Sequence, residues 1–151
     1  QFAGCALAGI LYVLGREGAF AYDPAQDEWD ELPAPDRLLS ASYVAAYEGE
    51  IWALGDYETR KSWRYAPAER RWHPGPELPA PGSWGGAAVL DGRLHVIGGA
   101  HWSPALDTHV WDDRLFALRP DWSTRGPCGR RGAMPPYPAS IDGGGDPQPG
   151  R

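Results

Sequence analysis

Gly92-Arg93-Leu94-His95-Val96-Ile97-Gly98-Gly99 has two earlier counterparts in the 151-residue chain, Gly49-Glu50-Ile51-Trp52-Ala53-Leu54-Gly55 and Gly9-Ile10-Leu11-Tyr12-Val13-Leu14-Gly15. The copies are offset by 43 and 40 residues, and self-similarity at a period of that size marks stacked structural repeats. Each copy is a short apolar run bounded by glycines, the pattern of a strand entered from a tight turn. Asp91-Gly92 suits the positive φ values of a two-residue hairpin, and the apolar run at 86–90 supplies the partner strand.

Further anchors lie at fixed distances downstream. Tyr22-Asp23-Pro24 is followed by Trp29, and Tyr65-Ala66-Pro67 by Trp72, both pairs shifted by 43 residues. Leu32-Pro33-Ala34-Pro35 and Leu78-Pro79-Ala80-Pro81 close these units. The last unit keeps only Leu118-Arg119-Pro120 and Trp122, with no Leu-Pro-x-Pro after it. A third strand is expected at 19–22, 62–65 and 114–118, leading into the Pro turn, and a short fourth strand holds the Trp. Four antiparallel strands every 40 to 43 residues is the pattern of a propeller blade.

The order apolar strand, Gly hairpin, strand ending in glycine, Tyr-x-Pro, Trp and Leu-Pro-x-Pro resembles the kelch repeat family over residues 2–122. The resemblance implies an all-β partial β-propeller of three four-stranded antiparallel blades. Only Gly98-Gly99 carries the family's full di-glycine, and the spacing is shorter than the usual ~50 residues. A WD40 array, with its period of ~40–45, fits the spacing, but Trp29-Asp30 and Trp111-Asp112 fall at different places in their repeats. Gly15, Gly55, Gly98 and Gly99 are read as structural, permitting close backbone approach where inner strands crowd around a central channel. Tyr22, Trp29, Tyr65 and Trp72 are expected to pack between successive sheets. Three blades fall short of the four to eight of a closed ring. A longer protein is the favoured expectation, since the chain starts at Gln1 and its last repeat is cut short, with self-association through unclosed blade edges as the other route to closure.

Composition sets the boundaries. Gly 20 and Pro 16 argue for many turns and against long helices. Net charge is −6, with ten Lys/Arg against eighteen Asp/Glu in residues 1–122. This acidic body gives no electrostatic footprint for nucleic acid or an anionic membrane. No apolar stretch approaches the ~20 residues that span a bilayer. Residues 123–151 hold thirteen Gly or Pro in 29 positions and are read as a disordered tail. Cys5 and Cys128 lie at opposite ends without metal-type spacing, so neither a disulfide framework nor a compartment follows.

Strands committed to packing leave the loops to carry function. The loop after Gly55 offers Tyr57 and Arg60, and that after Gly99 offers Trp102 and Trp111. This is hot-spot composition. Arg37 and Trp84, in the connections between one blade and the next, are secondary candidates. His101, His109, Asp107, Asp112 and Asp113 share one loop expected to be mobile, match no ligand spacing, and are read as solvated, not as a metal site. No phosphate loop, nucleophile elbow or oriented Cys/His pair is present, and neither catalytic residue nor cofactor is assigned. The favoured expectation is a non-catalytic scaffold binding another protein through loops on one face. The alternative is part of a kelch-type carbohydrate-active or redox enzyme, such as a sugar isomerase/epimerase or a copper oxidase.

Overall fold

The computed structural model describes residues 2–35, 43–56, 58–111 and 113–118. The first repeat forms β1 (Phe2–Leu7), β2 (Ile10–Gly15), β3 (Gly18–Asp23) and β4 (Glu28–Leu32). The second forms β5 (Tyr43–Tyr47), β6 (Glu50–Leu54), β7 (Ser62–Ala66) and β8 (Arg71–Gly75). Each is a four-stranded antiparallel meander in sequence order. The third repeat contributes β9 (Gly86–Leu90), β10 (Arg93–Ile97) and, after an inserted hairpin of β11 (Ala100–Ser103) and β12 (Thr108–Trp111), the strand β13 (Leu115–Ala117). Its expected fourth strand, near Trp122, lies outside the described residues, as does the tail.

The first turn of each blade follows one rule. Ala8-Gly9, Glu48-Gly49 and Asp91-Gly92 have φ values of 51/84, 51/77 and 50/68 degrees. Positive φ at both central residues gives a turn whose twist matches the paired strands. Only the third pair has the Asp-Gly signature, so register and packing impose the same geometry on Ala8 and Glu48.

Side chains alternate between two interfaces, as the period of two along a strand requires. In β6, Ile51 and Ala53 join Tyr12, Leu14, Ala19, Ala21 and Leu32 in a core against the first blade. Trp52 and Leu54, the intervening residues, join Tyr43, Leu78, Leu94 and Val96 in a core against the third. Ile51, Ala53 and Leu54 are 0% exposed and Trp52 is 5% exposed. Full burial of such a side chain is worth about 1.5–3 kcal/mol. The first strands also sit side by side, β1 against β5 and β5 against β9, which places them as the inner strands of neighbouring blades.

Tyr65 and Trp72 are cross-strand partners with ring centroids 5.2 Å apart, and both pack into the core against the first blade. The Trp72 indole N–H donates to the Pro33 carbonyl of that blade. Tyr22 and Trp29 make the same cross-strand pair at 4.9 Å, yet Trp29 is 62% exposed. Its face corresponds to the one through which the second blade meets the first, and no described blade stands in front of it.

Gly55 and Gly99, which follow second strands, are crowded by neighbouring loop and side-chain atoms. Gly99 (φ 105 degrees) lies against the Ser83 carbonyl and the Tyr43 hydroxyl. Tyr43 reaches across from the inner strand β5 and donates to the Gly98 carbonyl at 2.7 Å. A Cβ on Gly99 would collide with both groups, so the di-glycine serves an inter-blade tyrosine clamp.

Candidate functional site

Antiparallel order fixes which connections share an end. The loops leaving β2, β6 and β10 and the link from β8 into β9 emerge together, opposite the Gly hairpins. Of the sequence candidates, Arg60, Trp84, Trp102 and Trp111 lie at this end, and Tyr57 and Arg37 fall outside the described residues.

Backbone hydrogen bonds tie the end into one platform. Gly55 N–H donates to the Lys61 carbonyl at 2.9 Å and Asp56 N–H to that of Thr59 at 3.0 Å. The buried Asp56 carboxylate accepts from the amides of Glu58 and Thr59 at 2.7 and 2.8 Å, the side-chain turn to which Asp is suited. Leu78 N–H reaches the Arg60 carbonyl at 2.8 Å and Gly82 N–H that of Asp56 at 2.9 Å. Ser83 and Ala100 exchange both amide bonds, at 2.9 and 2.7 Å. The second blade's loop, the inter-blade link and the inserted hairpin are thus connected in series.

That hairpin corrects the expectation of a mobile loop after Gly99. Residues 100–111 form a paired ribbon turning through Pro104-Ala105-Leu106-Asp107, with Leu106 N–H donating to the Ser103 carbonyl at 3.2 Å. The β-branched and aromatic residues on either side of a Pro-x-x-Asp turn outweigh the loop-like composition. Register places Trp102 opposite His109 and Ala100 opposite Trp111, so Trp102, His109 and Trp111 share one face. His101 pairs with Val110 and belongs to the other face. The two histidines therefore do not converge, and among the described residues no three His, Cys, Asp or Glu side chains gather as metal ligands.

Trp84 completes the aromatic face from the inter-blade link. Its ring lies 4.7 Å from His109 and 6.4 Å from Trp111, and Trp102 lies 5.1 Å from His109. The rings in these pairs are tilted by 45 to 75 degrees, so none is stacked flat on its neighbour. Trp84 and Trp102 are about two-fifths exposed and Trp111 is 75% exposed. Trp84 holds φ at 60 degrees, a left-handed conformation costly for a bulky residue. The Ser83–Ala100 bridge on one side and Gly85 on the other pin it there, Gly85 being packed against the Ile97 and Gly98 carbonyls and the Tyr43 ring. His109 is the participant that sequence reasoning set aside. Its spacing of two from Trp111 on a strand was the available signal.

Arg60 stands apart from the aromatic face, paired with Glu77 at 2.6 Å with both side chains half exposed. Elsewhere, a groove of about 240 Å³ between the first two blades is lined by Tyr12, Tyr65, Asp30 and Arg70. Arg70 bridges to Asp30 at 2.6 Å, and its hydrogen bond holds that carboxyl below the usual value of 3.8. None of the described partner-binding candidates, Arg60, Trp84, Trp102 and Trp111, lines this groove. Cys5, on β1 facing the first core, is a free thiol pushed up to about 11 by burial.

No family profile matches the chain. It is similar to human Kelch-like protein 33, at 32% identity over 114 residues, covering 66% of this chain and 21% of that protein. It is also similar to human Kelch repeat and BTB domain-containing protein 13, at 32% over 133 residues, covering 79% and 28%. Mouse Kelch-like protein 35 matches at 33%, covering 61% and 17%. The chain thus spans between 17% and 28% of the length of these relatives. The solved structure of YjhT superposes with a TM-score of 0.58 at 22% identity, over 66% of this chain and 34% of that one. Repeat pattern, blade topology and these likenesses agree: the chain belongs to the kelch-repeat β-propeller family.

Proposed function

We propose that this chain is a non-catalytic protein-interaction segment of a kelch propeller, binding its partner through the end that carries Trp84, Trp102 and Trp111. The observation behind the reading is the aromatic assembly itself. Three tryptophans on one platform, each at least two-fifths exposed, form the type of patch that marks interaction sites. Trp and Arg are the residues enriched where truncation costs most binding energy. A hydrogen-bonded platform also lowers the ordering cost of association. The likeness to Kelch-like and BTB-containing relatives supports a role in protein assembly. Arg60, at the same end but apart from the aromatic face, is a secondary candidate in this reading, and Tyr57 and Arg37 are candidates on sequence grounds.

The test is capture of binding proteins from extract by the immobilised chain and by a Trp102→Ala/Trp111→Ala variant, with circular dichroism confirming that both fold. Loss of two hot-spot residues should weaken capture by about thirtyfold or more. Capture unchanged in the folded variant removes the aromatic face from the interaction.

A further inference from the structure

We infer that the aromatic face takes a basic segment of its partner, an Arg or Lys side chain lying over the indole rings while acidic residues at the margin meet its charge. The inference rests on the interaction reading above and names the chemistry of the occupant.

The first ground is the arrangement of the rings. Trp84 is inclined by 45 degrees to Trp111, and Trp102 by 75 degrees to His109 on the same face, so none of these rings is stacked flat and each tryptophan keeps exposed surface at this end. A cation within about 6 Å of an aromatic ring face is attracted by the ring quadrupole, most strongly for Trp. The chain already uses this contact internally. The Arg64 guanidinium lies 5.6 Å above the Trp52 ring and that of Arg114 5.3 Å above Phe116. Among the described residues no Arg or Lys lies over Trp102 or Trp111.

The second ground is charge. Segments 55–61, 76–85 and 98–114, which build this end, hold six Asp/Glu against three Lys/Arg, with Asp56 buried in its own turn and Glu77 paired to Arg60. Two of those three cations are engaged within the chain, Arg60 with Glu77 and Arg114 with Phe116. Asp107, in the hairpin turn two residues before His109, and Asp113, two residues after Trp111, are both exposed. Potentials of opposite sign across an interface steer association and suppress wrong partners. A basic segment satisfies both the rings and the carboxylates, whereas a neutral proline-rich segment would use only the rings.

The experiment is a selection of random dodecapeptides on the immobilised chain, followed by fluorescence titration of enriched peptides synthesised with each Arg kept or replaced by neutral citrulline. Enriched sequences should carry Arg or Lys, and citrulline should weaken binding roughly three- to thirtyfold. Trp102→Ala should abolish the difference between the two peptides, and Asp107→Asn should reduce it. Neutral sequences that bind through Trp102 and Trp111, or equal affinity of the citrulline peptides, would overturn the inference and leave the interaction reading intact. A selection that yields nothing dependent on Trp102 and Trp111 overturns both.

Discussion

Replacing Trp84 by glycine and by alanine separates backbone strain from ring contact at the centre of the proposed face. Both variants lose the contacts to His109 at 4.7 Å and Trp111 at 6.4 Å, worth about 0.5–1.5 kcal/mol per aromatic pair. They differ at the backbone, where φ is 60 degrees. An alanine keeps the left-handed cost of about 1–2 kcal/mol, and a glycine does not. Glycine gives back about 0.4–1 kcal/mol through the greater freedom of its unfolded chain. Trp84→Gly should therefore be more stable than Trp84→Ala by about 0.5–1 kcal/mol, the reverse of the usual order, and should melt roughly 2–6 °C higher. Paired thermal melts followed by circular dichroism measure this. An alanine variant as stable as the glycine variant, or more so, would refute a left-handed backbone pinned at residue 84. In the peptide titration both variants should bind equally poorly, because the ring is the binding element and the strain only positions it.

Gly99→Ala, which adds a Cβ against Ser83 and Tyr43 at φ 105 degrees, should cost about 2–5 kcal/mol. Gly92→Ala, at φ 68 degrees with open space around it, should cost only about 1 kcal/mol. Urea midpoints decide, and equal losses would contradict the clamp. Cys5, raised from 9.0 to about 11 by burial, should react with a thiol reagent at pH 8 on the order of a hundredfold more slowly in a folded Cys128→Ser variant than after unfolding. A thiol whose folded value is raised favours the fold below its unfolded value. Stability should therefore fall as pH rises from 9 towards 11, and Cys5→Ala should remove that component. The Asp30 carboxyl is lowered by its hydrogen bond to Arg70, so its contribution is present above pH 3.8 and is lost as pH falls through the depressed value. In acid titrations followed by urea unfolding, Asp30→Asn should remove this component, and high salt should shrink it in the parent because the pair is exposed.

The blades were legible because their signals repeat. One apolar strand between glycines is ambiguous, but three at offsets of 43 and 40 residues with Tyr and Trp in step are not. Most strands lie within a residue or two of the sequence reading, as β9 and β13 show. The aromatic face was legible in part. Trp84, Trp102 and Trp111 could be named as candidates, yet their meeting depends on the Ser83–Ala100 bridge, a pairing between segments that no periodicity marks. The hairpin was missed for a related reason: its four-residue strands are too short to show alternation against a Pro- and Asp-containing turn. Nor does sequence alone show why the di-glycine is kept only in the third repeat. Tyr43 is the inner-strand residue that reaches Gly98-Gly99, whereas Ala3 holds the matching position before Gly55-Asp56. A small residue on one blade permits a larger one on the next.

The double burial of β6 has a consequence for how the chain opens. Solenoid-like arrays behave as chains of nearest-neighbour interfaces. Here both described interfaces draw on adjacent residues of one strand, Ile51 and Ala53 for one and Trp52 and Leu54 for the other. The first and third blades can each fray with the loss of one interface, but the middle blade cannot loosen without surrendering both. The amides of β6 should therefore be the last to exchange with solvent, which sets the middle blade as the cooperative centre from which order spreads outward.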